Sequence, residues 1–183
     1  ARMLHADVVA LDQVVTYNRF GAFNPVGMLY ALRRDVVSLD HDASTLAPGK
    51  VRLREGKRPR PLVLRMNVGD CLEVRFTNLL APHRLSVPDP QTPAFHVPPT
   101  IGKEDGPFTR TASFHVNGLH YLDIASDGAN VGYNPSSLAA PGASATYRFY
   151  ADREGTFFAH SMGAIAGGQG DGGSTVLGLF GAV

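Results

Sequence analysis

Cysteine is almost absent from this chain. Cys71 is the single thiol among 183 residues, so no intrachain disulfide can staple the fold. One thiol also leaves the redox compartment open. Long apolar runs are missing too: none reaches the ~18 residues of a membrane-spanning helix. The net charge of +1 and the lack of a basic stretch interleaved with aromatics give nucleic acid no electrostatic footprint. The basic run 50–60 is broken by Pro59 and reads as a solvated turn. There is no internal repeat and no long amphipathic helical pattern. No signal peptide is visible, and the chain opens at Ala1 rather than Met, so a processed or trimmed N-terminus is expected.

What remains is a β pattern. Apolar residues make up 44% and charged residues 18%, which is a globular rather than a disordered balance. Glycine and proline punctuate short apolar runs. Period-2 alternation sets Leu72, Val74 and Phe76 against Cys71, Glu73 and Arg75. It recurs in Leu62, Leu64 and Met66, and in Ala145, Tyr147 and Phe149. Further strands are predicted in 7–17, 28–39, 112–116, 155–160 and 174–180. Many short strands with turn signals between them indicate an all-β Greek-key β-sandwich. The segment 81–110 carries seven prolines, and reads either as a lid or interface arm or as a rigid surface excursion. The run 178–183 reads as a strand still in progress, so more chain or another subunit is expected to follow.

Two segments hold the chemistry. Ser113-Phe-His-Val-Asn-Gly118 and Gly155-Thr-Phe-Phe-Ala-His-Ser-Met-Gly163 each place a histidine two residues before a second candidate ligand. On a strand, i and i+2 face the same way. His115 with Asn117, and His160 with Met162, would form two doublets suited to a shared metal. Imidazole binds copper well in either oxidation state, an asparagine carbonyl binds it weakly, and a thioether suits Cu(I). A hydrogen-bonded pair of strand histidines with no metal role is the competing reading. His120 could reach the same region or be a plain loop residue. His5, His41, His83 and His96 have no ligand spacing. Cys71 beside Arg75 is either reactive or an inert strand residue. The glycine-rich run 163–173 lacks the Lys-Ser/Thr ending of a phosphate cradle. Asp123, Asp127 and Asp171 lack a calcium-loop motif.

In order along the chain, several pieces resemble the first cupredoxin domain of multicopper oxidases, the laccase and ascorbate oxidase superfamily. They are Arg58-Pro-Arg-Pro61, Val68-Gly69-Asp70, Cys71 to Asn78-Leu79-Leu80, His115-Val-Asn-Gly118, Asp127-Gly128, Ala140-Pro-Gly142, Thr146-Tyr-Arg-Phe149, Gly155 to Met162, and Gly178-Leu-Phe-Gly181. His115-Val-Asn-Gly118 stands where the family carries His-Trp-His-Gly. Gly155 to Met162 stands where it carries Gly-Thr-x-Trp-Tyr-His-Ser-His. The resemblance covers 58–183. Residues 1–57 match as an N-terminal extension and leading hairpin packed on the sandwich.

The resemblance implies a cupredoxin-like domain that supplies part of a copper cluster. His115 falls on a type 2 copper ligand, and His160 on a type 3 ligand. Asn117 and Met162 fall on the other two type 3 positions, both away from histidine. Restoring imidazoles at 117 and 162 together would then raise copper binding when a partner domain is present. No blue-copper set is visible, since Cys71 is far in sequence from any matching histidine. The glycine-rich run would be a loop over the copper region. Three functions follow as expectations. The first is the N-terminal domain of an extracellular or periplasmic oxidase acting on phenols or on metal ions such as Mn(II) or Fe(II), completed by further cupredoxin domains or subunits. The second is a copper-free assembly module. The third is a Cu(I) carrier using His115, His160 and Met162.

Overall fold

The computed structural model describes residues 2–40, 45–82, 109–165 and 173–183. Its strands are β1 (Met3–Asp12), β2 (Val15–Thr16), β3 (Phe23–Asn24), β4 (Met28–Leu32), β5 (Val36–Ser38), β6 (Val51–Leu53), β7 (Leu62–Val63), β8 (Cys71–Asn78), β9 (His115–Val116), β10 (His120–Tyr121), β11 (Ser144–Tyr150), β12 (Phe158–His160) and β13 (Phe180–Ala182). A five-stranded sheet runs in the order β10-β11-β8-β1-β4, and a four-stranded sheet in the order β7-β13-β12-β9. The architecture is the expected all-β sandwich.

The alternation of β8 explains the core. Leu72, Val74 and Phe76 are buried against Val8 and Ala10 of β1 and Tyr147 and Phe149 of β11. They meet Phe114, Val116, Ala159 and Leu179 from the other side of the sandwich. Each leucine, valine and phenylalanine among them contributes about 1.5–3 kcal/mol of apolar transfer. Tyr30 of β4 packs edge-on to Phe114 at 5.2 Å, and its hydroxyl donates to the Ser113 carbonyl. The Tyr147 hydroxyl donates to the Ser137 carbonyl at 2.6 Å. Burial raises both phenol pKa values above the ordinary range.

Residues 1–57 supply β1 and β4 to the five-stranded sheet. β1 lies between β4, to which it is antiparallel, and β8, to which it is parallel. A second cluster, with Val9, Leu11, Leu29 and Ala31, packs under Val36 and Val51 of the β5–β6 pair. Beyond that cover the outer face turns polar. Glu73 accepts hydrogen bonds from Arg148 and Arg75 and pairs with His5. These partners, Arg148 foremost, hold its carboxyl below the usual carboxylate range against the opposing effect of burial. A lowered folded-state pKa gives stability that is full above the unfolded value and lost as pH falls through the folded one. Glu73→Gln should therefore flatten the acid limb of the stability–pH curve. Urea midpoints at neutral and acid pH would show it, and an unchanged slope would contradict it.

Most strand expectations form shorter or broken: 7–17 gives parts of β1 and β2 with a break between them, 62–66 only β7, 112–116 only β9 and 155–160 only β12. Two differ more. Residues 28–39 split into β4 and β5 at a 3-10 turn, Arg33–Asp35. Residues 174–180 open as a single helical turn, Gly173–Val176, and β13 starts only at Phe180. The β-branched pair Thr175-Val176 suggested a strand. Positive φ angles at Gly173 and Gly178 and the bond from the Leu179 N–H to the Ser174 carbonyl close it into a turn instead.

Asn78 is buried and fully used. Its amide donates to the Arg110 and Ala139 carbonyls at 2.9 and 2.8 Å and accepts from the Leu80 N–H. Arg110 in turn bonds the Asp12 carboxylate and the Ala81 carbonyl. The two ends of the proline-rich segment, Ala81 and Arg110, are thus clasped together on Asp12. Residues 83–108 of that segment lie outside the described residues, with His83 and His96. So do His41 and residues 166–172 of the glycine-rich run, including Asp171.

Candidate metal centre

β9 and β12 are antiparallel neighbours, and their register places His115 directly opposite His160. The imidazole centroids are 5.3 Å apart, edge to face. A pair of serines fixes this end of the strands. The Ser113 N–H donates to Ser161 Oγ at 3.1 Å, and the Met162 N–H donates to Ser113 Oγ at 3.0 Å. Both bonds lie within two residues of a histidine, and both serines are fully buried.

Backbone carbonyls set the tautomers. His115 Nδ1 is hydrogen-bonded to the Asp127 carbonyl, and His160 Nδ1 faces the Ser161 carbonyl at 3.4 Å. A carbonyl only accepts, so a proton on each Nδ1 satisfies it and leaves each Nε2 with a lone pair. Both Nε2 atoms face the same side-chain oxygen. Asn117 Oδ1 is 2.8 Å from His115 Nε2 and 3.3 Å from His160 Nε2. Three acceptors facing one another need a donor. A cation would satisfy all three. The Asn117 amide turned over would instead offer its NH2 group to both rings.

Asp127-Gly128 holds this arrangement in place. The Asp127 carboxylate is buried and accepts from the Ala129 N–H at 3.0 Å and from the Ser137 hydroxyl. Its carbonyl is thereby held on the His115 ring. Gly128 has φ +67°, and a Cβ there would sit 3.1–3.2 Å from the backbone and Cβ of His115. A side chain there would be strained by the left-handed backbone and would make His115 give way by a few tenths of an ångström.

Burial lowers the pKa of His160, and the neighbouring His115 lowers it further. The ring therefore stays neutral, as a metal ligand must. The sign follows directly: its contribution to stability is full above the ordinary histidine pKa and is lost as pH falls through the lowered folded value. An NMR pH titration should place the His160 midpoint below ~6.5. A midpoint at or above that value would contradict the desolvated setting.

β12 ends at His160, and Met162 lies in a bend beyond it. Strand alternation no longer sets its direction, and among the described residues its thioether joins neither imidazole in a hydrogen bond. His120 belongs to the other sheet and pairs with Asp152 at 3.2 Å. His5 pairs with Glu73. Asp123 accepts from the Ser126 hydroxyl. Cys71 is half-buried at the start of β8. Among the described residues, no three His, Cys, Asp or Glu side chains gather as a metal site. Sequence reasoning missed one contributor. Phe158 stacks on His160 at 5.1 Å and on Phe180 at 6.1 Å. Its position two residues before His160 on a strand was the available signal.

No protein-family model matches the chain, and no curated protein matches it by sequence. Solved structures do match. A multi-copper oxidase from Pseudomonas thermotolerans superposes with a TM-score of 0.53 at 20% identity, over 100% of this chain and 29% of that one. The multicopper oxidase mgLAC superposes with a TM-score of 0.51 at 18% identity, over 100% of this chain and 38% of that one. The chain thus spans about a third of the length of these proteins. The likeness shows the fold, and the sandwich is cupredoxin-like.

Proposed function

We infer that this chain is a cupredoxin domain of a larger multicopper-oxidase-like protein, and that it holds copper through His115 and His160. The observation that carries the reading is that both Nε2 atoms face one side-chain oxygen, Asn117 Oδ1, while each Nδ1 is directed at a backbone carbonyl. Such carbonyl support orients metal-bound imidazoles and raises their basicity. The donor set fits copper, since imidazole nitrogens suit it and Asn117 adds a weak carbonyl oxygen. Bound copper would supply one-electron redox chemistry. The chain's own residues do the positioning: Asp127 and Ser161 fix the rings, and Gly128 admits the close approach to His115. Phe158 covers one face of His160 and restricts water there.

Two imidazoles are too few for the full centre. Further cupredoxin domains or subunits would complete it and hold the substrate, a phenol or a metal ion such as Mn(II). An extracellular or periplasmic location belongs to the same reading. No helix among the described residues is long and apolar enough to cross a membrane.

A second reading has its own support. The Asn117 amide, turned over, closes the imidazole pair with no metal, as in a copper-free assembly module. Copper titration of the protein, followed by absorption and electron paramagnetic resonance, decides between them. Nitrogen hyperfine structure that His115→Ala and His160→Ala each diminish supports the copper site. Identical spectra for wild type and both variants would leave the assembly module.

A further inference from the structure

The imidazole pair stands on the four-stranded sheet, but part of its support comes from the other one. Tyr30 of β4 and Tyr147 of β11 both lie buried in the core between the sheets. Their rings flank Phe76, at 6.1 and 6.2 Å. The Tyr30 hydroxyl donates to the Ser113 carbonyl. Ser113 is bonded in turn to Ser161 and to the Met162 N–H, just past His160. The Ser161 hydroxyl also acts on the Tyr30 phenol, offsetting part of the pKa rise that burial and Tyr147 cause. The Tyr147 hydroxyl donates to the Ser137 carbonyl at 2.6 Å. Ser137 gives its own hydroxyl to the Asp127 carboxylate, and the Asp127 carbonyl is bonded to His115 Nδ1. The Phe114 N–H lies beside the Tyr147 phenol as well, and offsets part of the rise that burial causes there.

The peptide between Ser113 and Phe114 needs such help. β9 begins at His115, so this peptide precedes the ladder, and both residues are fully buried. A buried carbonyl left without a donor is costly, and Tyr30 supplies the donor from across the core. Phenylalanine would fill the same space with no hydroxyl to satisfy, as Phe76, Phe114 and Phe149 do in the same cluster. The two hydroxyls therefore serve something beyond packing. We propose that Tyr30 and Tyr147 are positioning residues that set the imidazole pair from the opposite sheet. Tyr30 acts through the Ser113–Ser161 clasp, and Tyr147 through Ser137 and Asp127. The two routes differ in reach. The clasp touches the approaches to both His115 and His160, whereas the Asp127 route ends on His115. The consequence for copper rests on the copper-site reading; the positioning does not.

NMR of the imidazole nitrogens in the metal-free chain tests this. Tyr30→Phe should shift the signals of both rings. Tyr147→Phe should shift His115 more than His160. Ser137→Ala cuts the second route without touching the core ring, should repeat the Tyr147→Phe pattern, and serves if that variant fails to fold. Ser161→Ala does the same for Tyr30. Val8→Ala trims the same core without removing a hydroxyl, and should leave both rings in place. In Cu(II) titrations each Tyr→Phe variant should lose about 10-fold in affinity, and Val8→Ala should lose none. Ring shifts no larger in the Tyr→Phe variants than in Val8→Ala overturn the proposal and leave the tyrosines as packing. One identical shift pattern for both tyrosines overturns the two routes. The expected shifts in a protein that takes up no copper keep the positioning and reject the copper-site reading.

Discussion

Asn117→His should raise copper affinity by roughly 100-fold in the assembled protein, the upper end of what supporting contacts alone are worth at metal sites. The Asn117 side chain already meets both Nε2 atoms, at 2.8 and 3.3 Å. Its backbone N–H donates to the Phe158 carbonyl, so the pairing of β9 with β12 extends to this residue and aims its side chain at the imidazole pair. An imidazole there replaces a weak neutral oxygen with a strong nitrogen ligand. It also removes the amide NH2 that can close the pair without metal. Met162→His should add little, because Met162 stands in a bend past the end of β12. The gain expected from restoring both imidazoles together thus falls almost wholly on position 117. Competition titration with a copper chelator would separate the two variants. No gain from Asn117→His in the complete assembly would mean that the pair faces no metal pocket.

Much of this was legible because β alternation is a local signal. Leu72, Val74 and Phe76 announced the core face of β8, and Ala145, Tyr147 and Phe149 that of β11. The i, i+2 spacing correctly grouped His115 with Asn117, since β-pairing continues through residue 117. For His160 and Met162 the same spacing is not carried by a strand, because β12 ends at His160. Where a strand stops is set by its neighbours, here the serine bonds at Ser113 and Ser161, and periodicity does not record them. The one-turn helix Gly173–Val176 was hidden for a related reason. Two glycines at positive φ overrode the β preference of Thr175-Val176. The meeting of His115 with His160 was legible only through resemblance, because strand pairing between distant segments leaves no mark in local pattern.

Gly128→Ala should lower stability by about 1–3 kcal/mol and disturb the imidazole pair as well. An alanine held at φ +67° carries left-handed strain of about 1–2 kcal/mol. Its methyl would press on the His115 N, Cα and Cβ at 3.1–3.2 Å, closer than ordinary van der Waals contact. The usual entropic gain of Gly→Ala, about 0.4–1 kcal/mol, requires a compatible backbone and is lost here. For a chain of this size the melting temperature should fall by roughly 3–10 °C. The second effect distinguishes this glycine from a merely structural one. His115 is held between Gly128 on its backbone side and the Asp127 carbonyl on its ring. Pushing the backbone away lengthens the Nδ1 hydrogen bond, loosens the tautomer and moves Nε2 away from Asn117 Oδ1. Gly142 is the control, since it also has positive φ but a Cβ there would meet only Pro48, at 3.3 Å. Gly142→Ala should cost comparable stability and leave the His115 and His160 NMR signals unmoved. If Gly128→Ala and Gly142→Ala shift the imidazole signals equally little, the Asp127-Gly128 corner is a turn and not a support for His115.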